Sequence, residues 1–356
     1  MDSFSDAFKT AKAALANGEL DGDFKKLHKG LKSLLGDVGP NLADKGQLVE
    51  LRDKVASGAK KLAAKGTTGA AASAKVLIDG AGSGKGKVER AATLKLLRHL
   101  YHEKSAGGQQ IWVYSPPSAY SKWIFDEVAG ANDVALQTAL SKDETEVYSV
   151  TQRATMAHAV QQARAVALAT VAKLGSASDT TKEVVRRYFG NAGTTERQLI
   201  DIMTTLASGY QKIAGACNEG NIVISDEPGD RTGGGWKDWA FIYTAETMSV
   251  IYLQGAWLKK ADEATPSNQS PLYRCLRTII HELSHKEVGT EDIVYGPKGL
   301  KPEGSTALTP EYALHNADSW AYFAVDVLGQ LTGPDKSNGS TPTTAILKVP
   351  TKTLKV

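Results

Sequence analysis

Cysteine is scarce in this chain: Cys217 and Cys275 are the two among 356 residues. They allow one disulfide at most, which excludes a fold stapled by a cysteine framework. No run approaches about 18 consecutive apolar residues, so no membrane-spanning helix is expected. Lys+Arg number 42 against 39 Asp+Glu, a net charge of +3. Spread over this length, that is too weak a field to suggest a nucleic-acid surface. The first residues, MDSFSDAFKTAKAALANG, are charged and amphipathic and lack the apolar core of a secretory leader. The expectation is therefore a chain made in the cytoplasm and, if exported or secreted, moved without a standard signal peptide. What remains is 42% hydrophobic and 23% charged, the composition of a soluble globular protein long enough for two or more packing units.

Three textures follow one another. In residues 1–65, Phe4, Phe8, Ala11 and Leu15, then Phe24, Leu27, Leu31, Leu34 and Leu35, recur at helical spacing. Gly36 and Gly39-Pro40 interrupt the pattern, and Leu48, Leu51 and Val55 resume it. GTTGAAASA at 66–74 has linker composition and opens a mixed α/β module over 66–143. There 75–78 and 111–114 are expected as strands and 88–104 as a helix. Residues 144–331 begin with a long helical pattern from about Glu144, a second helix ending at Gly190 and a third from 196 to 216. The period then changes to that of strands at 221–225, 239–246 and 249–254, and helices are expected at 271–286 and 310–329. A Gly/Ser/Thr/Pro-containing tail, 332–356, closes the chain. The expected fold class is α+β: a mainly helical domain with a small antiparallel sheet, preceded by a helical and mixed N-terminal region.

The chemistry gathers in SPLYRCLRTIIHELSHKEVGTEDIVYG. Ser270 and Pro271 suit a helix start, and Leu272, Cys275, Leu276, Ile279, Ile280 and Leu283 form one apolar stripe. On that helix stands His281-Glu282-Leu283-Ser284-His285. Histidines four apart project from one face and can share a zinc ion at about 2.0–2.1 Å. Glu282 beside them is placed to take a proton from water activated there. A catalytic zinc needs a third protein ligand. The pattern His-x-x-Gly-x-x-His is absent, since Val288 and Glu291 occupy its positions, and no glutamate on a following helix stands out. Gly289 permits a sharp turn after the helix, and both Glu291 and Asp292 are then within reach.

His-Glu-x-x-His followed by Gly289-Thr290-Glu291-Asp292-Ile293-Val294-Tyr295-Gly296 resembles the aspzincins, the deuterolysin and peptidyl-Lys metalloendopeptidase group. Weaker similarities are Arg186-Arg187-Tyr188-Phe189-Gly190 and the stretch from His315 to Phe323, so the resemblance covers about 145–330. It implies His281, His285 and Asp292 as ligands of one zinc ion, Glu282 as catalytic base and Tyr295 as an oxyanion donor. Thr290 would hold the turn or a ligand. The resemblance also makes Asp318 an acid of the substrate cleft that favours lysine, while Ala321 stands where a second acid is expected. Gln254 similarly replaces an expected cysteine. His315 is a further candidate for the cleft.

Other signals are bland. GAGSGKGK at 80–87 lacks the glycine spacing and the Ser/Thr of a phosphate loop. His99 and His102 suggest a surface pair, His158 a core or boundary residue, and Trp236, Trp239 and Tyr243 core. The expected function is a zinc-dependent metalloendopeptidase acting on protein or peptide, perhaps an exported effector or toxin. Residues 1–143 would then be a pro-region, a lid, or a module for an inhibitor, immunity or export partner. The alternatives are an inactive zinc-stabilised binding protein, or a proenzyme whose N-terminal part blocks the cleft.

Overall fold

The computed structural model describes Ala7 and residues 45–107, 111–218, 222–246, 249–265, 270–296, 300–303, 305 and 308–331. The apolar pattern from Phe4 to Leu35, save Ala7, and the tail from 332 lie outside these residues. In chain order the elements are α1 (Lys45–Ala63), α2 (Gly69–Gly80), α3 (Lys87–Gly107), β1 (Trp112–Val113), α4 (Ile124–Val128) and α5 (Asp133–Leu140). They continue with α6 (Val150–Ser176), α7 (Asp179–Phe189), α8 (Glu196–Asn218), β2 (Ile222–Ser225), β3 (Ala240–Ile242) and β4 (Ser249–Leu253). The last are α9 (Gly255–Asp262), α10 (Ser270–Val288), α11 (Pro310–Leu314) and α12 (Ala317–Asp326). The fold class is α+β, dominated by helix. The chain divides into two compact units of non-consecutive stretches. One takes 1–154, 223–237 and 246–254; the other takes 155–222, 238–245 and 255–356.

In the first unit, α2 takes up 69–74 of the expected linker at 66–74 and all of the expected strand at 75–78. Three apolar residues in a row, Val76 to Ile78, do not distinguish a strand from a buried helix, and the preceding alanines are strong helix formers. Ala72, Ala74, Leu77 and Ile78 are buried together, a helical set. Asn132 caps α5, its side chain accepting from Ala135 N. The sheet is mixed rather than purely antiparallel. β1 runs parallel to β2, with Trp112 opposite Val223 and Val113 opposite Ile224. Five helices separate these strands, a crossover that returns the chain in its original direction, which no hairpin does. Buried Asp226 secures this region, accepting from Arg231 Nε at 2.5 Å and from the Tyr148 hydroxyl at 3.2 Å.

Two candidate motifs of this unit are structural. Around the glycine-rich loop, Arg90 donates to the carbonyls of Ala81 (2.8 Å), Ser83 (2.9 Å) and Lys85 (3.1 Å). A phosphate loop turns its N–H groups inward, whereas this one turns carbonyls onto a cation. His99 is buried rather than part of a surface pair, with Nε2 2.7 Å from the Ser115 carbonyl.

The second unit is built on an aromatic cluster of Tyr188, Phe189, Tyr210, Trp320 and Phe323, with ring centroids 5.1–6.3 Å apart. Gly209 in α8 makes room for Trp320, since a Cβ there would sit 2.4 Å from the indole. The Tyr210 hydroxyl donates to the Trp320 carbonyl at 2.6 Å, and Arg187 donates to Asp326 at 2.6 Å. α10 packs between α8 and α12. The helix expected over 310–329 breaks into α11 and α12 at His315–Asn316. His158 is exposed, and so is Trp239, while Trp236 and Tyr243 are half-buried. The short β3 leaves much of 239–246 outside regular structure, so these aromatics do not form core.

Candidate metal centre

α10 begins at Ser270 with Pro271 in its first turn and buries Cys275, Leu276, Ile279, Ile280 and Leu283 on one face. Each such side chain contributes about 2 kcal/mol by leaving water. Together they offset the cost of bringing His281, Glu282 and His285 in from solvent. Glu282 is 4% exposed. Burial pushes its carboxyl above the usual carboxylate range, and the charges of His281 and His285 pull it partly back.

Beyond the helix, Gly289 adopts φ +82, open to glycine and strained for other residues. The Gly289 N–H returns to the Ser284 carbonyl at 3.1 Å, and the Thr290 N–H reaches the same oxygen at 3.3 Å. This reversal carries Asp292 back over the histidines. His281 Nε2 lies 3.0 Å from Asp292 Oδ1, His285 Nε2 lies 3.3 Å from the same oxygen, and the two Nε2 atoms are 3.2 Å apart. Glu291 is exposed, so the open choice between the two carboxylates resolves to Asp292. Among the described residues, His281, His285 and Asp292 are the one group whose donor atoms converge for a metal ion.

The other ring nitrogens are engaged. His285 Nδ1 is 2.7 Å from the Thr290 carbonyl, which only accepts, so Nδ1 carries a proton and Nε2 is the nitrogen turned to Asp292. His281 Nδ1 is 2.7 Å from Asp318 Oδ1. Ser284 and Thr290 join their hydroxyls at 2.7 Å and lock the turn. Burial alone would lower both imidazoles. The carboxylates of Asp318 and Asp292 at His281, and of Asp292 at His285, instead raise them above their ordinary value. Burial also works against the charge of Asp292, yet hydrogen bonds from the two imidazoles hold it well below the usual carboxylate range.

A zinc ion fits these residues. Tetrahedral ligation at about 2.0–2.1 Å places donor atoms roughly 3.3 Å apart, matching the 3.0–3.3 Å triangle here. Asp292 Oδ1 is buried and faces both Nε2 atoms, the position from which a cation would be bound. Residues 174–325 match the sequence profile of the lysine-specific metallo-endopeptidase family, the aspzincins. This segment is similar to the aspzincins. A peptidyl-Lys metalloendopeptidase of Armillaria mellea is 34% identical to the chain over 88 residues, 24% of this chain and 22% of the relative. The chain thus spans less than a quarter of that curated relative's length. Aspzincins depend on zinc, and the donor set of the segment similar to them suits that ion.

The remaining sequence candidates are placed as follows. Tyr295 stacks on His281, with centroids 6.1 Å apart and planes 17° apart, and stays 40% exposed. Burial of its hydroxyl and the charge of Asp292, to which it hydrogen-bonds, hold the phenol far above its ordinary value. Asp318 is not a free acid of the cleft. Its Oδ1 faces His281 and its Oδ2 accepts from the Gly296 N–H. His315 brings its backbone to the site, accepting from Glu291 N–H, while its side chain is exposed. Sequence reasoning missed Asn316, whose amide binds the loop carrying Asp292. Its signal was the Asn-Ala-Asp run, but spacing within one helix does not show what a side chain meets on another segment.

Proposed function

We propose that this chain is a zinc metalloendopeptidase, hydrolysing peptide bonds with water. The convergence of His281, His285 and Asp292 beside the buried carboxyl of Glu282 carries this reading. Zinc, when bound, polarises a carbonyl and brings the acidity of water towards pKa about 7. Glu282 takes the proton of the attacking water and returns it to the leaving amine, and burial, which raises its carboxyl, favours its holding that proton in between. Tyr295 remains protonated at neutral pH and donates its hydroxyl to the developing oxyanion. His281 and His285 are held in one tautomer by Asp318 and Thr290, so their orientation is fixed before substrate arrives.

A lysine preference is the finer proposal, and the family description and the relative's name support it. The engagement of Asp318 with His281 weakens the support that the sequence offered. Release as an exported effector, with residues before 144 serving delivery, a partner or inhibition, extends the same proposal. Fractionating the producing cells for chelator-sensitive activity tests it. The peptidase reading itself is tested by digesting a denatured protein mixture with the full chain, with and without a zinc chelator. Chelator-sensitive cuts support it, and clustering before lysine supports the finer claim. Zinc-loaded protein that makes no cuts overturns it.

A further inference from the structure

We propose that the start of α12, Asn316-Ala317-Asp318, is a clamp that organises the metal site before an ion arrives, with Asn316 and Asp318 as positioning residues. This rests on the zinc reading above and adds the device that makes the third ligand available.

Asp292 sits in the segment 289–296, which has no helix or strand of its own. Such a segment loses conformational freedom at each residue that is fixed. A ligand that had to be gathered from a mobile loop would weaken metal binding by that ordering cost. The loop is instead fastened on both sides of Asp292. Before it, the Glu291 N–H donates to the His315 carbonyl at 2.6 Å, and the Ala317 N–H donates to the Glu291 carbonyl at 3.0 Å. After it, the amide oxygen of Asn316 accepts from the N–H groups of Ile293 (3.1 Å) and Val294 (2.9 Å). At the far end, the Gly296 N–H donates to Asp318 Oδ2 at 2.5 Å.

Asn316 is fully buried and stands at the N-cap of α12, yet its side chain makes no capping bond. An N-cap asparagine ordinarily stabilises its helix by accepting from the first turn. Here its acceptor is turned away from its own helix and onto the ligand loop, while its NH₂ donates to Ser319 Oγ at 2.9 Å. The break between α11 and α12 serves the same end. In a helix continuous across 315–316 the His315 carbonyl would accept within the helix, and Asn316 would lie mid-helix with its backbone closed. Asp318 joins the two halves of the site, because one oxygen orients His281 on α10 and the other holds the loop.

The test is competition for zinc between the full chain and a chromogenic chelator, comparing wild type with Asn316→Ala, Asn316→Asp, Asp318→Asn and the double variant. Asn316→Ala and Asp318→Asn are each expected to weaken zinc about 10–100-fold. The double variant should lose less than the product of the two, since both residues hold one loop. Asn316→Asp keeps the oxygen that accepts from Ile293 and Val294 and should recover affinity to within a few-fold of wild type. Cobalt-loaded variants should show altered absorption in the visible range, a signature that a purely stabilising role would leave in place. Asp318→Asn preserves side-chain shape, so the test does not depend on Asn316→Ala folding. Wild-type zinc affinity in both single variants would overturn the clamp. Unchanged affinity in Asp318→Asn with redistributed cut sites would overturn it too and return Asp318 to substrate recognition. Wild type that binds zinc but cuts nothing would remove the peptidase reading while leaving the affinity comparison standing.

Discussion

In α3, His99 is 2% exposed and turns Nε2 onto the Ser115 carbonyl, whereas in α10 His281 and His285 turn Nδ1 onto protein acceptors and leave Nε2 facing Asp292. Both helices carry two histidines one turn apart in sequence. The difference lies in which nitrogen the protein engages, and therefore in which lone pair remains for an ion. Helical spacing makes a shared site geometrically possible. A carboxylate brought over by a separate loop, and acceptors behind the rings, make it a metal centre.

The largest effect that would sharpen this contrast is the loss of the base. Glu282→Gln should lower peptide cleavage by 10²–10⁴-fold, roughly the contribution of a positioned general base, while zinc content by mass spectrometry stays at wild type. Undiminished cleavage would break the assignment of Glu282. Next come the ligands. His285→Ala should lose bound zinc on dialysis, whereas His99→Phe should keep it and instead lower the unfolding free energy by about 1–3 kcal/mol through the unpaired Ser115 carbonyl. Zinc loss from His99→Phe would erase the distinction between the two helices.

A third expectation concerns protons. In the metal-free chain both imidazoles are held above their ordinary 6.5 and Asp292 is held below its ordinary 3.8. The raised histidines contribute stability that is complete below about pH 6.5 and fades as pH rises through their elevated values. The depressed aspartate contributes stability above about pH 3.8 that is lost as pH falls towards its lowered value. Thermal unfolding with chelator present should therefore show the triad stabilising most between about pH 4 and 6.5. The gain from added zinc should grow as pH rises through the elevated histidine values, where the ion meets less competition from protons. A gain from zinc that is flat with pH would contradict the triad. The smallest effect is remote. Gly209→Ala forces a Cβ against Trp320 and should cost about 1–3 kcal/mol in unfolding free energy. Because α12 carries Asp318, zinc affinity should fall modestly as well, by less than in Asp318→Asn.

The metal helix was legible because its signals are local: an apolar stripe, a starting Ser-Pro, and His281, Glu282 and His285 within five positions. Capping made the end of α7 legible at Gly190 in the same way. The segment 75–78 was not legible, since Val76, Leu77 and Ile78 suit a strand and a buried helix equally. The parallel pairing of β1 with β2 was hidden by five intervening helices. The break at His315–Asn316 carries no glycine or proline to announce it; Thr309-Pro310 marks only the start of α11.

By itself, then, the sequence determined the ion-binding face of α10, the motif register that proposes Asp292 as the third ligand by resemblance, and the mainly helical α+β class. Tertiary structure decided which carboxylate reaches the histidines, because Glu291 and Asp292 differ only in which way the turn at Gly289 points them. It also decided that Asp318 orients His281 instead of standing open, and that Asn316 holds the ligand loop. Those roles depend on what lies across a gap between separate segments, and periodicity along one chain encodes only which face a residue occupies.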